Sequence, residues 1–401
     1  MTWQNTRLKF LAGCPIQNGL GESGGEDNPD WPRYIRTTDI AGPRELRDDV
    51  FASLPPVVAR KALLQPGDLL MTAAGATIGK SVLYLDNNPA CYAGYLVRFR
   101  PGRSVDPRFI AYWTESSPYW DQIRSGKVVS TIENFSASKY QNLRLSIPPF
   151  ATQQSIADYL DRKTARINAL IAAKRRMVDL IAGRRRAAGE ALVLQALQAG
   201  EQTRIGHLLT EIDDRLGVAT PPDLLSVSIH RGVIPFSEAN PDRVPRADEL
   251  GNYKRCRKND IILNRMRAFQ GGIGRAPMDG IVSPDYAVLR PAPHSSAGYL
   301  NHLLRSPWFI GQMERLLRGI GGVEQGNVRT PRVNWDDLRI VEIPSPPFST
   351  QRELASKLDA DLTNSWQTQG RIDRQISLLQ ERRQALITAA VTGQLDIPEA
   401  A

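Results

Sequence analysis

The 401-residue chain is 41% hydrophobic and 23% charged, which excludes a disordered or fibrous protein and allows two to three domains of about 150 residues. Its 51 Lys and Arg outnumber 42 Asp and Glu for a net charge of +9, a balance that suits a polyanionic partner. Cys14, Cys91 and Cys256 are odd in number and far apart, and His207, His230, His294 and His302 lack ligand spacing. Neither a disulfide framework nor a zinc site is expected.

Near the N-terminus, Leu11-Ala12-Gly13-Cys14 imitates a lipoprotein cleavage box. The segment before it is too short for an apolar signal region of roughly 7–15 residues, and Lys9 interrupts it. No apolar run nears the ~18 residues of a membrane helix. A cytoplasmic protein without membrane contact is expected.

The first region, 1–147, holds short β-like runs (Asp68–Thr72, Ser81–Leu85, Tyr95–Phe99) between Gly, Pro and Asn, then a helical stretch over 107–124. Pro148-Pro149 opens a central helix expected over 148–200. A second region, 201–345, repeats the pattern with Asp260–Leu263, Tyr286–Leu289 and a helical stretch over 297–318. Pro346-Pro347 opens a C-terminal helix expected over 346–395. Of the 28 prolines, none falls in 150–220 or 348–397. Proline breaks helix interiors, so these are the two places where long helices can run. Thr152 and Thr350 follow the proline pairs and can serve as N-caps.

The helical stretches are copies. PPFATQQSIADYLD (148–161) matches PPFSTQRELASKLD (346–359) at 8 of 14 positions without gaps. The same offset carries Arg184-Arg185 onto Arg382-Arg383. Thr6-Arg7 and Leu11 precede Thr203-Arg204 and Leu208 at an offset one residue shorter. A repeat this long is a domain duplication, not a solenoid. The globular regions echo each other too: Gly67-Asp68-Leu69-Leu70 with Asn259-Asp260-Ile261-Ile262, Ile78-Gly79-Lys80 with Ile273-Gly274-Arg275, and Ser117-Pro118-Tyr119-Trp120 with Ser306-Pro307-Trp308-Phe309.

Leu160, Ile167, Ile171, Val178 and Ile181 in the first helix, and Leu358, Leu362, Ile372, Ile376, Leu379 and Leu386 in the second, recur at coiled-coil steps. Such a seam buries itself against another helix, and the other copy is the natural candidate. Ser365-Trp366-Gln367 and Gly370 weaken the second seam, as Gly183 and Gly189 weaken the first. The fold class expected is α+β: two duplicated domains separated by two long antiparallel helices forming a coiled coil.

Three signatures of chemistry nearly form. Gly19-Leu20-Gly21-Glu22-Ser23-Gly24 fits GxGxxG, but no strand precedes it and Pro29 and Pro32 follow. Ala74-Gly75-Ala76-Thr77-Ile78-Gly79-Lys80-Ser81 has Ala74 where a P-loop requires glycine. Ser345-Pro346-Pro347-Phe348 imitates a base-holding methyltransferase loop, yet it opens a helix and has no glycine-rich cofactor loop beside it. No Glu-x-Lys nuclease tripeptide exists. No catalytic, cofactor-binding or metal residue is assigned.

What remains is basic and polar, in loops. Arg reads guanine bidentately, Gln reads adenine, and Lys, Ser and Thr hold phosphates. The candidate DNA-contacting residues are Arg33, Arg36, Thr37, Thr38, Lys80, Lys127, Ser130 and Thr131 in the first region. In the second they are Arg231, Arg265, Arg267, Gln270, Asn327, Arg329 and Arg332.

The whole chain resembles the specificity subunit of type I restriction–modification enzymes. The carriers are the two PPF-x-T-Q helix starts, RYIRTTDI (33–40), LLSVSIHRGV (224–233), GIVSPDYAVLRP (280–291) and RRQALITAAVTGQLD (382–396). The resemblance implies two target-recognition domains (1–147 and 201–345), each reading half of a split double-stranded DNA target. It further implies two modification subunits that carry S-adenosylmethionine and methylate adenine. A restriction and translocase subunit would use ATP and Mg, and this chain would itself be non-catalytic. The rival readings are a stand-alone DNA methyltransferase, which would bind S-adenosylmethionine saturably, and a DNA-binding regulator, which would need no modification subunit.

Overall fold

The computed structural model describes residues 3–23, 26–126, 134–217, 223–229, 231–239, 247–320 and 332–397. The chain forms two compact units: 1–174 with 374–401, and 175–373. Both unit boundaries fall inside the long helices, which run unbroken over Phe150–Ala199 and Phe348–Val391. Each unit therefore contains a globular region and a segment of both helices.

The first unit is built on a four-stranded antiparallel sheet in the order Gln17–Asn18, Leu96–Phe99, Leu69–Thr72, Ser81–Leu83. The second repeats this order with Leu209–Ile212, Tyr286–Pro291, Ile261–Asn264, Ile273–Arg275. In each unit a separate strand pair ties the start of the globular region to its end. Gln4–Arg7 pairs with Arg144–Ile147, and Glu201–Arg204 with Glu342–Ser345. The expected strands are present. The stretch expected over 107–124 is two helices, Pro107–Trp113 and Ser117–Gly126. The stretch expected over 297–318 is likewise Ala297–Leu304 and Pro307–Ile320. The break precedes Pro118 and Pro307, where a helix restarts cheaply because the first turn needs no proline N–H.

The sheet turns explain the Gly/Asn-Asp echo. Gly67 (φ +94°) and Asn259 (φ +76°) both occupy the left-handed region, which glycine and asparagine tolerate. The next residue, Asp68 or Asp260, is buried. Asp68 accepts from Gln65 N (2.8 Å) and from Arg100 Nε and Nη2 (2.6 and 2.7 Å). Asp260 accepts from Arg257 N (2.8 Å) and from Arg290 Nε and Nη2 (3.0 and 2.9 Å). By contrast, the echo of Ile78-Gly79-Lys80 with Ile273-Gly274-Arg275 is out of register. Met71 pairs with Ser81 and Leu263 with Ile273, so the counterpart of Gly79 is Gly271, and both have φ +88°.

The helix starts are identical devices. Each helix begins at the Phe after the proline pair, so Thr152 and Thr350 lie in the first turn and are not the N-caps. The side chain that secures the start is Gln. Gln153 donates to Pro148 O (2.9 Å) and accepts from Asp106 N (2.9 Å). Gln351 donates to Pro346 O (2.9 Å) and accepts from Ser296 N (2.9 Å). One amide thus satisfies two backbone groups that would otherwise be buried unpaired.

Inside each unit the two helix segments run antiparallel. In the first, Ile156 and Leu160 share a core with Ile387, Ala390 and Val391, while Lys174 Nζ donates to Gln375 Oε1 (2.6 Å). In the second, Leu192, Val193 and Ala196 share a core with Ala355 and Leu358, while Arg185 Nη2 donates to Gln369 Oε1 (2.6 Å). Leu160, Ile167, Ile171, Leu358 and Ile372 are buried, and Val178, Ile181, Leu362, Ile376, Leu379 and Leu386 half-buried. Gly183, Gly189 and Gly370 do not interrupt either helix. No helix among the described residues is long and apolar enough to cross a membrane.

Candidate nucleic-acid interface

In the first unit, Tyr34 and Ile35 are buried because the strand Arg33–Ile35 lies parallel to Ala90–Tyr92. The basic residues around it serve the loop's own geometry. Arg33 Nη2 donates to Arg47 O (2.5 Å). Arg36 grips the buried Asp39 carboxylate through its backbone N (3.0 Å), Nε (3.4 Å) and Nη2 (3.2 Å), and Thr38 Oγ1 donates to the same carboxylate (3.0 Å). Thr37 is half-buried and Thr38 exposed. RYIRTTDI is thus a braced turn with Arg36 one third exposed.

Lys80 is exposed. Its backbone N donates to Thr77 O (2.9 Å), and the strand Ser81–Leu83 follows. Without a helix N-terminus after the loop, a P-loop's phosphate cradle does not form. The Gly19–Gly21 stretch likewise lies against strand backbone, with Gly19 N donating to Leu96 O (3.1 Å).

In the second unit, Arg265, Arg267 and Gln270 occupy the loop after the strand Ile261–Asn264. Arg267 and Gln270 are exposed, and neither makes a side-chain hydrogen bond among the described residues. Burial pushes the Tyr286 hydroxyl up from its ordinary value, and Arg267 partly opposes this. Arg265 Nη2 instead bonds Glu211 Oε1 (2.5 Å). Arg332 pairs with Asp285, and both arginines line one cavity of about 290 Å³. The same cavity holds the buried Lys254, 3.3 Å from Asp213. Burial raises the Asp213 carboxyl, but the Lys254 hydrogen bond and charge outweigh this and hold it below the usual range. Arg231 sits apart, in the turn of the Leu225–Ser228/Gly232–Pro235 hairpin, bonded to Glu238 (2.6 Å). Lys127, Ser130, Thr131, Asn327 and Arg329 lie outside the described residues.

The structure therefore brings Arg265 and Arg332 together and leaves Arg231 separate. Sequence reasoning missed Glu211, Asp213 and Lys254 as members of this site. The run Lys254-Arg255-Cys256-Arg257-Lys258 was the signal for Lys254. Nothing local marks Glu211, which reaches Arg265 only because their strands join one sheet.

Residues 33–178 match the model of the type I restriction modification DNA specificity domain. The chain is 20% identical over 399 residues to the EcoKI specificity subunit of Escherichia coli K12, covering 91% of this chain and 83% of that one. It is 23% identical over 142 residues to the StySPI specificity subunit of Salmonella potsdam, or 35% of this chain and 31% of that subunit's length. A chain from a structure of complex assembly and conformational transition of the type I R-M system superposes with a TM-score of 0.66 at 15% identity over 98% of both chains. The HsdS subunit from Thermoanaerobacter tengcongensis does so with a TM-score of 0.51 at 16% identity, covering 98% and 97%. These structural likenesses speak for the fold. The domain match over residues 33–178 and the two relatives by sequence make the chain similar to type I restriction enzyme specificity subunits.

Proposed function

We propose that this chain is the DNA sequence-recognition subunit of a type I restriction–modification complex, each globular region reading one half of a bipartite target. The observation that supports this most directly is the twofold repetition of one architecture: the same sheet order, the same Asp–Arg brace and the same Gln clamp on a helix. Two readers of one build, joined by paired helices, suit a split DNA site. Exposed Arg267 and Gln270 have the chemistry for base edges, and Arg332 and Lys80 that for phosphates.

Methyl transfer is assigned to modification subunits carrying S-adenosylmethionine, and cleavage to a restriction subunit using ATP and Mg. The deciding experiment exchanges residues 201–345 for those of a relative and sequences the methylome of cells carrying the complex. One half of the methylated motif is expected to change. A change in both halves would refute independent reading. Methylation of duplex DNA by the purified chain alone would refute the division of labour.

A further inference from the structure

At one matched place the two units differ in charge and in space. The glutamine of each long helix accepts from the backbone N at the start of a short helix, Asp106 in the first unit and Ser296 in the second. Ser296 is therefore the counterpart of Asp106, and Ala297 and Gly298 are those of Pro107 and Arg108. The sheet register makes Arg275 the counterpart of Leu83. The aspartate brace makes Arg257 and Lys258 those of Gln65 and Pro66. The helix repeat makes Arg352 that of Gln154.

In the first unit this place neutralises itself. The Asp106 carboxylate accepts from Arg108 N (2.7 Å) and pairs with the Arg108 guanidinium, which also reaches Asp158 and Asp161. Pro107 has no N–H to offer. In the second unit Arg257, Lys258, Arg275 and Arg352 converge on a cavity of about 470 Å³, together with Arg290 and the start of the helix Ala297–Leu304. The acid lining it among the described residues is Asp260, which is buried and held by Arg290. Arg275 also faces Asp359 (3.7 Å), whereas Arg257, Lys258 and Arg352 are exposed. A Cβ at Gly298 would lie 3.2 Å from Arg275 Nη1, so glycine admits the guanidinium beside the first helical turn. The cap there is neutral, with Ser296 Oγ accepting from Tyr299 N (3.4 Å). The N–H groups of Ala297 and Gly298 lie in the first turn, where the helix supplies no acceptor. Ser295 lines the same cavity and is 7% exposed, and its buried Oγ has no hydrogen-bond partner. A helix N-terminus, an unpaired hydroxyl and converging cations suit an oxyanion.

We propose that this cavity binds an oxyanion of the phosphate class at the start of the helix Ala297–Leu304, where the first unit carries its own Asp106 carboxylate. The anion is either a small phosphate compound or a backbone phosphate of bound DNA.

The test follows thermal unfolding of the full chain in inorganic phosphate against chloride at equal ionic strength. A saturable rise of the midpoint with phosphate is expected. Ser296→Asp copies the cap of the first unit and should fold while losing the response. The double variant Arg257→Gln/Arg352→Gln copies two exposed positions of the first unit and should lose it as well. Absence of a saturable rise in the wild type overturns the proposal, as does a rise that persists in the folded double variant. The phosphate titration involves no DNA, so its outcome is independent of the recognition role. DNA binding at several salt concentrations then separates the sources. A backbone phosphate predicts that Arg352→Gln weakens all sequences alike and reduces the salt slope by about one. A small phosphate compound predicts unchanged DNA binding by that variant.

Discussion

The two units answer one structural problem with the same polar devices and differ where those devices meet the helix face. In both, a buried aspartate clamped by an arginine braces a sheet turn, and a helix-start glutamine ties the globular region to its long helix. The hydrogen-bond lengths repeat within a few tenths of an ångström. About two helical turns further along, Tyr112 donates to Asp161 (2.6 Å) in the first unit, whereas His302 faces Asp359 (2.7 Å) in the second. Buried groups with fully satisfied hydrogen bonds tolerate little exchange, because losing one partner strands the other. A contact to a half-exposed carboxylate such as Asp161 or Asp359 leaves water as an alternative, so its partner can change.

The largest break in this comparison is expected at the aspartates. Asp68→Ala and Asp260→Ala should each cost about 2–4 kcal/mol, less than for a fully buried pair because water reaches the arginines. Urea unfolding of the full chain measures this, and a cost confined to one of the two would end the equivalence of the braces. Gln153→Leu and Gln351→Leu come next. Each orphans a backbone N–H and a carbonyl, for about 2–3 kcal/mol in the same assay.

For recognition, Arg267→Ala should cost about 1–3 kcal/mol at one base pair of the half-site read by the second region and leave the other half-site untouched. Competition binding with single-base variants of the target resolves this. At the turns, Gly67→Ala should cost about 1–2 kcal/mol through its positive φ, since the new Cβ would meet Pro107 at an ordinary 3.5 Å. Asn259→Gly, which copies the first unit into the second, should shift stability by only a few tenths of that in either direction.

The smallest effect is that of pH. Burial raises the Asp161 carboxyl, but Tyr112, Arg44 and Arg108 outweigh it and hold it below the usual range. Asp359 is held low by the His302 hydrogen bond against its own burial, aided by the charges of His302 and Arg275. A carboxyl depressed in the folded state stabilises above its unfolded value, near 3.9, and loses that contribution as pH falls through the folded value. Acid unfolding should therefore begin below about pH 4 at these contacts. Asp161→Asn and Asp359→Asn should each flatten that limb of the stability profile.

The long helices, the duplication and the buried seam were legible in the sequence because they rest on local rules. Proline is barred from helix interiors, apolar residues recur at the helical period, and an ungapped repeat survives divergence. The helix starts were also visible, though not their agent: Gln153 acts on Asp106, 47 residues away, which no local pattern marks. Only the tertiary structure decided which basic residues are engaged and which project. Arg33 and Arg36 were attractive as free cations, yet their loop folds back so that they brace carbonyls and Asp39. The pairing of Glu211 with Arg265 and the burial of Lys254 arise where strands distant in the chain converge. Charge in the sequence gives the sign of a side chain. Its partner depends on long-range packing, and that partner determines whether the side chain is available to a ligand.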